Sequence, residues 1–314
     1  MIENIVISGG ATSGILMIGI FRILHENQIY NIENIKKIYA TSVGTIISVL
    51  LCLNVDWESI YTYVIDRPWE KVIDIEPEKI INGITNIGFL SSYDLLKEFF
   101  IPLFKVRDIN IDITLKEFYE FSNIELNIIT TEVENLQELQ ISFKTHPDMK
   151  LLTALSMSTA LPIVICPVLY NGKYYADGGL VNNFPIQNCI NELCNSDNNN
   201  DINEKIFDSM LCVTNDNTYN DTHTETNLKF NTIFDYFSHL TAAYIRISQK
   251  KNKEQLINKK NFIYFHDESC GFEKLKKVLY KKDRKQLLEK GEQTAKAYLS
   301  NTKDSYCENL ENKE

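Results

Sequence analysis

Residues 35–53, IKKIYATSVGTIISVLLCL, read as a strand that turns sharply into a helix. Ile35–Ala40 is a short β-rich run, and Val43–Leu53 carries helical apolar spacing, so Thr41 and Ser42 must make the turn. Upstream, Asn4–Ser8 (NIVIS) is a second β-rich run. It ends in the glycine loop Ser8-Gly9-Gly10-Ala11-Thr12-Ser13-Gly14, and an apolar-periodic helix follows over Ile15–Asn27. A β–loop–α–β–turn–α opening needs a parallel sheet with helices covering its faces. The expected fold is therefore α/β: a three-layer sandwich whose central sheet is mainly parallel.

The rest of the chain fits around that start. A helical region is expected over Asp56–Phe121, interrupted by Pro68, Pro77 and Pro102. Thr114 and Glu117 form a capping box within it. Ile87–Phe104 (IGFLSSYDLLKEFFIPLF) reads as a buried core helix. Its alternative is a cap over an acyl pocket, touching substrate through Phe89, Phe99, Phe100 and Phe104. Glu125–Glu132 and Glu138–Phe143 alternate as strands, Leu151–Ser158 is helical, and Asn171-Gly172 joins strands Val168–Tyr170 and Lys173–Ala176. Pro185–Cys194 is a helix, Ser196–Asp201 an exposed loop, and Met210–Thr214 a strand. Helices at Leu228–Gln255 and Glu273–Leu299 then surround a strand at Asn261–Phe265. The expected organisation is one domain over 1–300, with 56–122 the candidate cap and 301–314 a polar tail.

With 314 residues, the chain can bury a full core without staples. Its seven cysteines show no C-x-x-C spacing, so reduced thiols and a cytoplasmic setting are expected. No signal peptide or membrane-spanning stretch is legible, and neither a metal nor a cofactor is indicated. A net charge of −10 argues against nucleic acid as partner. The charge is uneven, however. Arg246–Lys290 holds fourteen Lys/Arg against six Asp/Glu, about +8, which leaves about −18 elsewhere. Solvated helix faces are the plain explanation of such a run, and peripheral contact with an anionic membrane surface is the alternative.

Three stretches carry chemistry. A strand-to-helix turn at Ala40-Thr41-Ser42-Val43-Gly44 would lift the Ser42 hydroxyl clear of the sheet, with Ala40 and Gly44 small enough to let neighbouring backbone pass. The bland alternative is an N-cap serine. The Gly9–Ser13 loop can aim several amides at one point, as an oxyanion requires. It is neither a Walker loop nor a dinucleotide fingerprint, because the spacing and the Lys-Ser/Thr pair are missing. Asp177-Gly178-Gly179 brings a carboxylate to a turn, where it can serve as general base or simply make an Asp-Gly turn.

In chain order these motifs resemble the patatin-like phospholipases. Two further matches support the resemblance: Ser158-Thr159-Ala160-Leu161-Pro162 fits S-x-A-x-P, and Asp177–Pro185 fits D-G-G-x-x-x-N-x-P with Asn183 and Pro185 in register. The resemblance covers residues 1–190. It implies a lipid acyl hydrolase with a Ser42–Asp177 dyad and no catalytic histidine. It further implies an oxyanion hole from the amides of Gly9, Gly10, Ala11 and Thr12, turns supported by Ala40, Gly44, Gly178 and Gly179, and a phospholipid or other acyl-lipid substrate.

The sequence departs from the family pattern in three places. Ala40 and Ala11 replace glycines, and Ser13 stands where the family usually places Arg or Lys. A left-handed backbone at Ala11 would cost about 1–2 kcal/mol. These departures motivate an alternative in which the fold binds lipid or protein with weak catalysis, and acyl transfer through the same dyad is another. A Ser-His-Asp triad would need His223, His239 or His266, but its serine elbow normally follows more than two strands.

Overall fold

The computed structural model describes residues 1–72, 88, 90–196, 204–215, 233–253, 261–266 and 278–311. Among these residues eight strands form one sheet: β1 (Asn4–Ile7), β2 (Lys37–Thr41), β3 (Glu125–Glu132), β4 (Gln137–Ile141), β5 (Val168–Tyr170), β6 (Lys173–Asp177), β7 (Met210–Asn215) and β8 (Phe262–Phe265). Their order is β5-β6-β3-β2-β1-β7-β8, with β4 paired to β3. The pairs β3–β2, β2–β1, β1–β7 and β7–β8 are parallel. The antiparallel pairs all involve β3 to β6. The sheet is mostly parallel, as the opening motif requires.

The helices are α1 (Gly14–Glu26), α2 (Val43–Leu53), α3 (Trp57–Asp66), α4 (Trp69–Val72), α5 (Ser92–Val106), α6 (Leu115–Ser122), α7 (Leu151–Ser158), α8 (Gly179–Asn182), α9 (Ile186–Ser196), α10 (Glu204–Asp208), α11 (Ile233–Lys253) and α12 (Lys281–Glu311). Alternation along the strands assigns them to two layers. Ile5, Ile7, Ile38 and Ala40 face one core, shared with α1, α2, α3, α5, α6, α7 and α12. Val6, Tyr39, Met210 and Cys212 face the other, against α9 and α10. Glu192 of α9 accepts from the Tyr39 hydroxyl and from Lys37 Nζ (2.5 Å), which pins that layer to β2.

Several expectations land closely, including the capping box that opens α6. Pro68 does separate α3 from α4, and Pro77 lies outside the described residues. Pro102 is different, because α5 runs through it. A proline there removes the amide that would serve the carbonyl four residues earlier. That carbonyl, of Glu98, instead accepts from the Arg67 guanidinium at 2.6 Å. Within α5, Phe100 and Phe104 are fully buried in the core. Phe99 packs against Tyr63 and Trp69. From Ser92 on, the 87–104 stretch is a helix with these side chains in the core, and Phe89 lies outside the described residues. The closing helix continues to Glu311, into the stretch read as a polar tail.

The closing helix is tied down by one buried cation. Arg284 donates to the carbonyls of Ile65 (2.6 Å) and Arg67 (3.1 Å) at the end of α3, and to those of Val278 (3.0 Å) and Leu279 (2.5 Å). Those are carbonyls that a helix end or a turn cannot satisfy for itself.

Candidate active site

β3 is the ruler of the site. Thr41, the last residue of β2, pairs with Ile129. Asp177, the last residue of β6, pairs with Thr130, the very next residue of β3. β4 occupies the other edge of β3 across both positions, so β2 and β6 share one edge and meet end to end. The chain leaving β2 is the Ser42 turn, and the chain arriving along β6 delivers Asp177. Two residues 135 positions apart are thereby brought into contact: Ser42 Oγ donates to Asp177 Oδ2 at 2.5 Å. Both are buried, Ser42 at 8% exposure and Asp177 at 2%.

Ser42 has φ 53° and ψ −129°, a conformation that costs a non-glycine residue of order 1–3 kcal/mol and persists only where its surroundings enforce it. They do so here through backbone groups at each step. The Ser42 amide donates to Ser158 Oγ (2.9 Å), and Ser158 Oγ donates to the Ile129 carbonyl (2.6 Å). Thr45 Oγ1 donates to the Ser42 carbonyl (2.6 Å), and Thr41 Oγ1 to that of Asn182 (2.8 Å). Ala40 is buried in β2, and Gly44 in the first turn of α2 lies against the end of β1.

Asp177 is held as firmly. Its Oδ1 accepts from the Gly179 amide (2.7 Å), its amide donates to the Ala160 carbonyl, and its carbonyl accepts from Thr131 Oγ1 (2.8 Å). Gly178 must be glycine because a Cβ there would stand 2.2 Å from the Ile129 carbonyl oxygen. Burial pushes the Asp177 carboxyl up to about 6, while the hydrogen bonds from Ser42 and Gly179 pull the other way. The direct serine–carboxylate bond leaves no place between them for a histidine. His239 lies on α11, His266 follows β8, and His223 is outside the described residues.

The glycine loop closes over this pair. Gly9 and Asn183 exchange bonds, with the Gly9 amide donating to the Asn183 carbonyl (2.9 Å) and Asn183 Nδ2 donating to the Gly9 carbonyl (3.3 Å). A Cβ on Gly9 would stand 3.0 Å from Ser42 Cβ, so this backbone passes directly over the serine. After Gly10 the chain makes a short 3-10 turn over Ala11–Ser13 and enters α1. The first amides of such a turn have no partner within it and favour negative charge. Ala11 adopts φ 45°, the left-handed backbone its Cβ disfavours. Thr12 and Ser13 are buried. Arg22 does not substitute for the missing loop cation, being engaged with Glu26, Glu58 and Glu292.

These features define an α/β protein with a serine–carboxylate pair at the carboxyl ends of its parallel strands. Residues 5–190 match the model of the patatin-like phospholipase family, and the chain belongs to that family. It is 29% identical to a probable lipid hydrolase, 463L, of Invertebrate iridescent virus 6, over 68% of this chain and 69% of that protein. It is 30% identical to the uncharacterized protein R571 of Acanthamoeba polyphaga mimivirus, over 59% of this chain and 60% of that one. Among solved structures it is similar to VipD from Legionella pneumophila, with a TM-score of 0.49 and 16% identity. That likeness covers 95% of this chain and 67% of VipD.

All the proposed site residues therefore lie in one place: Ser42 and Asp177, the Gly9–Thr12 loop, and the supporting positions 40, 44, 178 and 179. What the motifs did not disclose is how they are joined. Ser158 was visible only as part of S-x-A-x-P. Its bridging of Ser42 and Ile129, like the register role of Thr130, depends on strand pairing that sequence spacing does not encode.

Proposed function

We propose that the chain is a lipid acyl hydrolase that cleaves carboxylic ester bonds of phospholipids or related lipids through Ser42 and Asp177. The observation that carries this reading is the 2.5 Å hydrogen bond from Ser42 Oγ to Asp177 Oδ2 at a strained, buried turn. Ser42 Oγ attacks the ester carbonyl carbon while its proton passes to Asp177. The tetrahedral oxyanion is held by amides of the Gly9–Thr12 loop, each such donor contributing about 3–4 kcal/mol. Collapse expels the alcohol, which takes the proton from Asp177 and leaves Ser42 acylated. Water then gives a proton to Asp177 and attacks the acyl carbon. The carboxylic acid departs, and the proton returns to Ser42 Oγ.

The electrostatics suit the task. A carboxylate with its titration near 6 is a stronger base than an ordinary aspartate, yet still ionised at neutral pH. Among the described residues no helix is long and apolar enough to cross a membrane. The described cysteines are free thiols, in keeping with a reducing compartment such as the cytoplasm. We read the protein as meeting its lipid at a membrane surface.

The test is turnover of phospholipid and of a soluble activated ester by wild type, Ser42→Ala and Asp177→Asn. Both variants should lose turnover while keeping the fold. Esterase activity retained by well-folded Ser42→Ala would refute the reading.

A further inference from the structure

The helix beside the site is built the wrong way round for a soluble protein. On α11 (Ile233–Lys253), Ile245 reaches toward the catalytic turn, its Cδ1 3.5 Å from where a Cβ on Gly179 would stand. Gly179 is the residue whose amide holds Asp177. Ser238 and Ala242 share that side of α11 and are partly covered. On the opposite side Ile233, Tyr236, Phe237, Leu240, Tyr244 and Ile247 are all exposed, Ile233 at 64% and Ile247 at 75%. At 100° per residue these six fall within an arc of about 100°, and they run about 21 Å along the helix. An amphipathic helix normally turns such a stripe inward. Here Ile245 and small residues face the protein while six large apolar side chains face solvent, a pattern that marks a contact surface.

We propose that this stripe is the surface by which the protein docks on a lipid bilayer carrying anionic headgroups, placing the Ser42–Asp177 site at the interface. Three features select that occupant. Tyr236, Phe237 and Tyr244 are side chains that favour the boundary between acyl chains and headgroups. The sequence at and beyond the end of the stripe supplies Arg246, Lys250, Lys251 and Lys253. This opens the one strongly basic stretch of a chain whose net charge is −10. Finally, the helix borders the Asp177 turn with its other side, so a bilayer under the stripe lies about one helix diameter from the site.

The inference rests on the lipid acyl hydrolase reading of that site, so binding and chemistry are measured apart. The Ser42→Ala protein, which on the proposed mechanism does not consume the vesicle, is floated with phosphatidylcholine vesicles, with and without phosphatidylserine. Binding should be strong only to the mixed vesicles and should weaken as salt is added. Phe237→Asp with Tyr244→Asp in the same background should lower partitioning about tenfold or more. Both positions are exposed, so thermal melting should not move. With Ser42 intact, the same pair should keep hydrolysis of a short-chain soluble ester within about twofold. Unchanged partitioning of the double variant would overturn the proposal. So would equal binding to neutral vesicles, or a dimer in sedimentation velocity that the double variant dissolves while no vesicle binding is seen. If wild type hydrolyses no ester yet Ser42→Ala still binds vesicles as described, the docking surface stands and the hydrolase reading falls.

Discussion

Two loops carry a non-glycine residue at positive φ beside the Ser42–Asp177 pair, and they are supported very differently. At the Ser42 turn the strain is enclosed: Ser158, Thr45 and Thr41 bond backbone groups at or beside the turn, and Asp177 takes the side-chain proton. At Ala11, with φ 45°, the residue is exposed, and the loop is fastened at its ends by the Gly9–Asn183 exchange and by the Ser13 amide on the Gly10 carbonyl. Strain at the serine is fixed by packing around β3, while strain at Ala11 is a local cost that a single substitution can remove. The first loop sets whether the pair exists. On the proposed mechanism, the second tunes how well an oxyanion is held.

The largest effect should come from breaking the pair itself. Asp177→Asn keeps the shape but removes the base, and kcat should fall by about 10³ or more on a soluble ester. Its stability should move the other way. Because burial raises the folded carboxyl to about 6 from its ordinary 3.8, the protonated group is the one the fold favours. That contribution is fully present below about pH 4 and is lost as pH rises through 6. The neutral asparagine retains it, so Asp177→Asn should melt above wild type at pH 8, by up to about 3 kcal/mol, and match it near pH 4. Thermal melts at the two pH values check this.

Ser158→Ala probes the support rather than the pair. It leaves the Ser42 amide and the Ile129 carbonyl buried without partners, costing about 1–3 kcal/mol of stability. It should also lower kcat about 10- to 100-fold with little change in KM, since the misplaced nucleophile affects the chemical step. An effect on stability alone would make Ser158 merely structural. The wild-type pH profile is the next effect in size. With the carboxylate as base, kcat/KM should fall about tenfold per pH unit below about 6 and be flat above, with no second histidine-like limb.

Ala11→Gly sharpens the comparison from the other side and is the smallest change. Relief of the left-handed backbone should stabilise the protein by about 1 kcal/mol. If the loop's amides hold the oxyanion, kcat should change by a few-fold while soluble-ester KM stays put. The equivalent Ser42→Gly change would relieve strain too, but at the cost of all turnover.

Much of this was legible in the residues because the signals were local. Apolar spacing fixed α2, α7 and β3 to the residue, and Asn171-Gly172 fixed the β5–β6 hairpin. The order of the glycine loop, the Ser42 turn and Asp177 was enough to propose the dyad. Non-local relations were not legible. That β2 and β6 abut on one edge of β3 is a matter of pairing, and helical continuity through Pro102 depends on Arg67 reaching Glu98 from another helix. The sequence marks Leu228–Gln255 as helical, but only packing shows that the apolar face of α11 looks outward.

The central claim is that Ser42 is a nucleophile activated by Asp177. Fluorophosphonate labelling of wild type, Ser42→Ala and Asp177→Asn tests it most directly. The account predicts labelling of wild type at neutral pH, none of Ser42→Ala, and labelling of Asp177→Asn slowed by a hundredfold or so. Equal labelling of folded Ser42→Ala, or no labelling of folded wild type, would contradict it.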